Sequence, residues 1–172
     1  MRKTRVCLML SCCLILSASV AGAQANRKPG LYDVTSSMTF QQSPMPPGMQ
    51  APPGSPFSGA PRTNQVCVTQ AMIDKYGGPS PAPSRGDCQV TNVSIGPNGM
   101  TASMTCSGQM AGNGTGATTW VEGSGGQTTV HFTGSMQMGP RSAPVEWTMK
   151  SSSTYKGPDC GSVQPMTMPA DK

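Results

Sequence analysis

The sequence predicts an all-β protein: an antiparallel up-and-down meander of about six or seven strands with one short helix, the strands forming a strongly curved or barrel-like sheet. A two-sheet β-sandwich is the alternative. Three observations carry the prediction. Apolar and polar residues alternate with period two in most segments that lack proline, the pattern of a strand wet on one face. The 21 glycines and 17 prolines punctuate these segments at turn positions. A single segment carries the start and stop signals of a helix.

The elements follow in order. In "GLYDVTSSMTF", residues 30–40, Tyr32, Val34, Met38 and Phe40 share one side, interrupted by Ser36. Residues 42–63 are rich in proline, glycine and methionine, a composition that sustains neither ladder nor helix, and they read as a flexible loop. A short strand through Val66 and Val68 runs into a helical turn over 71–76, with Thr69 as its cap and Gly77-Gly78 as its stop. "CQVTNVSI" and "MTASMTC" flank "GPNG", a hairpin signal because Asn98 and Gly99 tolerate positive φ. Met100, Ala102, Met104 and Cys106 then fall on one side of the second strand. "GNGTG" at 112–116 reads as a flexible turn, and "GATTWVE" as the strand that begins there. In "QTTVHFTGSMQM" Val130, Phe132, Gly134, Met136 and Met138 alternate against Thr129, His131, Thr133, Ser135 and Gln137. In "VEWTMKSSSTY" Val145, Trp147, Met149 and Tyr155 oppose Glu146, Thr148 and Lys150. Residues 161–172 read as a disordered tail.

Residues 1–25 have the build of an export leader. Arg2, Lys3 and Arg5 precede the apolar run "VCLMLSCCLILSASV", which is short for a membrane span, and the small residues up to Ala25 suit cleavage. A single β-rich domain over 26–160 remains, with no membrane span once the leader is gone. The chain's 12 Lys and Arg against 7 Asp and Glu include three bases in the leader, so the rest is near neutral and holds no basic cluster. Nucleic acid is excluded as a partner on that ground.

Four cysteines follow the leader: Cys67, Cys88, Cys106 and Cys160. In an exported domain these form two disulfides, with three possible connectivities. Strand parity across "GPNG" turns Cys88 away from Cys106, which favours Cys67–Cys88 and Cys106–Cys160; a bulge would reverse that parity. Zinc is excluded by the lack of any C-x-x-C pair and by His131 being the sole histidine.

The same segment contains Leu31 as its one leucine and Ile73 and Ile95 as its isoleucines, against twelve methionines. Met136 and Met138 pose the question directly. Thioethers ligate Cu(I) or Ag(I), yet these two share their side with Val130 and Phe132, so they read as core filler. Copper or silver binding through Met136 and Met138 is the alternative. No cofactor is expected. No G-x-S-x-G elbow appears, and "GNGTG" lacks the lysine of a phosphate loop, so no enzyme is expected. Tyr32, Trp147 and Tyr155 are candidates to line a concave apolar surface edged by hydroxyls, which suits a small hydrophobic ligand; Trp120 joins them only in one register, because a one-residue shift in the adjacent glycine turn would change its face.

The run "PGLYDVTSSM", "VCVTQAMI", "CQVTNVSIGPNGMTASMTCSG" and "GPDC" resembles a bacterial exported domain-of-unknown-function family, number 3617, over residues 29–160. Tyr32 stands where that family usually has Trp, and Gln70 where it often has proline. The resemblance implies a periplasmic or secreted protein with this cysteine framework, and no catalytic residues. The expectation is therefore a non-catalytic module that binds a small hydrophobic ligand or an envelope component.

Overall fold

The computed structural model describes residues 27–46, 48, 49, 51, 52, 54, 55, 58–79, 87–121 and 125–165. Residues 1–25, expected to be an export leader, and residues 166–172 of the expected tail lie outside the described residues. Seven strands and one helix succeed each other as β1 (Gly30–Gln42), β2 (Arg62–Val68), α1 (Gln70–Tyr76), β3 (Asp87–Ile95), β4 (Gly99–Ser107), β5 (Met110–Thr119), β6 (Gly126–Met138) and β7 (Arg141–Gly157).

All seven strands pair antiparallel in one sheet, in the order β2-β1-β7-β6-β5-β4-β3. β3 to β7 form the expected meander, and the β1–β2 hairpin adds to its β7 edge. β2 and β3 are the two edges and do not pair, so the sheet is not closed. Val90 on β3 and Trp147 on β7 nonetheless line one cavity. In a flat sheet four strand spacings of about 4.8 Å would hold them apart. The sheet therefore curls over its dry face.

That face is built from the alternating apolar rows. Phe132 and Val145 are fully buried and cluster with Cys106, Val130 and Trp147. Met38, Met104, Met110, Met136 and Met149 pack around them. The row from Val130 to Met136 thus points inward, while Met138 at the strand end is 42% exposed. Unbranched thioethers fill the space that branched aliphatics would otherwise occupy. A second cluster sits under α1, where Met72 and Ile73 cover Tyr32 and Val68. Thr69 caps the helix by accepting a hydrogen bond from the Met72 amide, and Gly77 ends it at φ 73°.

Three expectations need correction. The disulfides are Cys67–Cys160 and Cys88–Cys106, not Cys67–Cys88 and Cys106–Cys160. The turn forms where expected, with Gly96 and Gly99 bonded across Pro97-Asn98 and Ile95 opposite Met100, although neither Asn98 nor Gly99 takes the positive φ invoked for it. Between Thr91 and Ser94, however, the register shifts by one residue, and Asn92 there has φ 51°. This bulge returns Cys88 to the dry face, directly opposite Cys106.

"GNGTG" is the second correction, since residues 112–116 lie inside β5 rather than in a turn. Gly112, Gly114 and Gly116 all face inward, opposite Cys106, Met104 and Ala102 of β4 and Gly134, Phe132 and Val130 of β6. A Cβ on Gly114 would stand 2.9 Å from the His131 carbonyl, 3.1 Å from Met104 Cε and 3.3 Å from Phe132 Cδ2. Glycine is there because the His131 carbonyl, Met104 and Phe132 occupy the volume a side chain would need.

The tail is the third. Residues 161–165 return to the sheet, where Pro165 bridges Cys67 in parallel. β7 also starts earlier than expected, at Arg141, and includes Pro144 opposite Ser135. The β1 ladder ends at Gln42 and Glu146, so proline's missing donor costs no bond on that side.

Candidate ligand-binding cavity

A cavity of about 170 Å3 lies on the dry face between β3 and β7. β4 contributes Met100 and Met104 to its wall, β5 contributes Met110, and β7 contributes Trp147 and Met149. Val90 and Val130 line it as well, and the space is partly open to solvent. The space exists because β5 presents Gly116 to it: a Cβ there would meet only Val130 Cγ2 at 3.6 Å and the Thr129 carbonyl at 4.0 Å. Three hydroxyl residues line it, Ser103, Thr118 and Thr128, and the last two are a cross-strand pair. The hydroxyls of that pair are 2.9 Å apart and bond to each other.

The aromatic candidates separate. Trp147 lines the cavity and stacks on Phe132 with ring centres 5.2 Å apart. Tyr32 and Tyr155 do not line it; they meet edge to face at 5.3 Å beside α1. Tyr32 donates a hydrogen bond to the Lys28 carbonyl at 2.7 Å, and burial pushes its pKa up. Trp120 is elsewhere too: its indole donates to the Gly96 carbonyl, and its ring carries the Arg27 guanidinium 4.5 Å from its centre. Arg27 also donates to the Gly77 carbonyl at 3.0 Å, fastening the segment before β1 to the end of α1.

His131, Glu146, Thr133 and Thr148 meet on the opposite, wet face. His131 Nε2 is 3.4 Å from Glu146 Oε1, and its Nδ1 is 3.3 Å from Thr148 Oγ1. The arrangement has an acid, an imidazole and a hydroxyl, but both members of the ion pair are exposed on a sheet surface. Among the described residues no group of three or more His, Cys, Asp or Glu side chains could hold a metal.

Trp147 is the one expected lining residue that the cavity contains; Met100, Met104, Met110, Gly116, Thr118 and Thr128 were not foreseen in that role. The signal for them was glycine at every second position, 112, 114 and 116, the period of a strand rather than of a turn.

Fold and cavity together define a disulfide-linked protein of one curled antiparallel sheet, with thioethers lining the hollow on its dry side. The chain belongs to the DUF3617 family, proteins of unknown function, whose model matches residues 27–160. No curated protein and no solved structure gives a match. No helix among the described residues is long and apolar enough to cross a membrane.

Proposed function

We propose that this protein is a non-catalytic binding module of an oxidising compartment, periplasmic or secreted, that takes up a small neutral hydrophobic molecule from the cell envelope. The observation that carries the reading is the cavity: about 170 Å3, walled by Met100, Met104, Met110, Met149, Val130 and Trp147, without an ionisable side chain. An apolar space of this size gains free energy when a matching apolar molecule replaces weakly held water. The two disulfides and the leader-like residues 1–25 support the compartment.

Amide spectra of the purified protein titrated with benzene test the reading. Saturable shifts centred on Met104, Val130 and Trp147 are expected. Shifts that stay linear to the solubility limit, or that centre elsewhere, would remove it. Copper or silver binding at Met136 and Met138 has less support. Met136 packs against the core, and Met138 stands directly opposite Arg141, whose positive charge opposes a bound cation. Titration with Ag(I) should therefore show no tight site that depends on Met136 and Met138.

A further inference from the structure

We infer that the ligand is a neutral single-ring aromatic bearing one hydroxyl, the phenol class, with its ring among the methionines and its hydroxyl on Thr118 and Thr128. The inference rests on the binding reading above and specifies its chemistry.

Size sets the first bound. Drug-sized ligands fill pockets of about 300 Å3 or more, whereas a cavity of about 150 Å3 accommodates benzene. At about 170 Å3 this one fits a single ring with a small substituent. Charge sets the second. No lysine, arginine, histidine, aspartate or glutamate lines the space, so a carboxylate or ammonium would lose its hydration and find no counter-charge. The guest must be neutral.

The walls favour a ring over an aliphatic body of equal volume. Met100, Met104, Met110 and Met149 offer polarisable sulfur from three strands, and thioethers make favourable contacts with aromatic edges. Trp147 adds an aromatic surface.

The two threonines supply the last element. Thr118 is buried, and either hydroxyl can donate to the other across 2.9 Å. That bond uses one of the two hydroxyl protons. The second proton and the remaining lone pairs are left for another partner. A guest hydroxyl, donor and acceptor at once, complements this pair, while a purely hydrocarbon guest would cover it without replacing its hydration.

The test compares phenol, toluene and cyclohexanol by calorimetry on the intact protein and on three variants. Thr118→Val/Thr128→Val keeps the shape and removes both hydroxyls; Thr128→Ser retains a hydroxyl; Gly116→Val fills the cavity from a position with room for a Cβ. Phenol affinity should fall at least tenfold in the double valine variant, recover in Thr128→Ser and vanish in Gly116→Val. Toluene affinity should be unchanged or higher in the double variant, and cyclohexanol should bind more weakly than phenol. Equal loss of phenol and toluene in the double variant, or no loss of either, overturns the hydroxyl assignment. Cyclohexanol binding as tightly as phenol overturns the aromatic assignment. In both cases a binding cavity remains. If none of the three compounds binds the unmodified protein, the inference and the binding reading fall together.

Discussion

Replacing Cys67 and Cys160 together with alanine removes a crosslink between residues 93 apart, whereas replacing Cys88 and Cys106 removes one between residues 18 apart. In the chain-entropy treatment the first closes a loop worth about 4.7 kcal/mol and the second about 3.2 kcal/mol. Burial does not blur the comparison, since each pair has one buried member, Cys67 or Cys106, and one half-buried member, Cys160 or Cys88. The lost packing nearly cancels, and a gap of about 1.5 kcal/mol is left, a little over tenfold in the folding equilibrium. Urea unfolding followed by tryptophan fluorescence, with both variants fitted to a common slope, reads it directly. The Cys67→Ala/Cys160→Ala protein should have the lower midpoint. A lower midpoint for Cys88→Ala/Cys106→Ala, or equal midpoints, would refute the reasoning. A Cys67–Cys88 peptide in a non-reducing digest of the unmodified protein would refute the pairing beneath it.

Gly114→Ala should destabilise the fold by about 1–3 kcal/mol through crowding against the His131 carbonyl and Met104, while Gly116→Ala stays within about 0.5 kcal/mol; thermal unfolding separates them. Thr69→Ala removes the side-chain acceptor at the start of α1 and should cost about 1 kcal/mol in urea. Tyr32 has a raised folded-state pKa, so the folded protein holds its proton where the unfolded chain has lost it. The stability linked to Tyr32 is present below the ordinary tyrosine value of about 10 and is lost as pH rises from there through the folded value. Midpoints measured from pH 8 to 11 should fall above that point, and Tyr32→Phe should flatten the fall. Glu146→Gln should change stability by less than about 0.5 kcal/mol, because its ion pair with His131 is exposed.

Where one physical signal determined an element, the sequence was readable. Thr69 and Gly77 mark both ends of α1, and the alternation of β6 and β7 assigns Phe132, Val145 and Trp147 to the core. The Pro97-Asn98 turn was equally plain. Register was the weak point. A single extra residue at Asn92 inverts every side chain N-terminal to it, and nothing in "QVTNVSI" distinguishes a bulged asparagine from one in regular pleat. The glycines of β5 misled for a related reason: glycine signals a turn locally, but here it answers a demand from Met104 and Phe132 on neighbouring strands. The cavity combines both effects. Val90 reaches it only through the bulge, and Gly116 opens it only beside those neighbours, so pairwise strand pairing had to be known first.

The position of β1 has a consequence for how the chain comes together. Its neighbours are β2 and β7, so the first strand to be synthesised waits for the last. Until residues 141–157 arrive, the hairpin of β1 and β2 and the ribbon of β3 to β6 have no common ladder, and Cys67 has no Cys160 to meet. Closing so distant a pairing is slow compared with forming local hairpins. β7 is thus the strand that joins the two halves of the sheet, and its pairing with β1 is the long-range step of assembly.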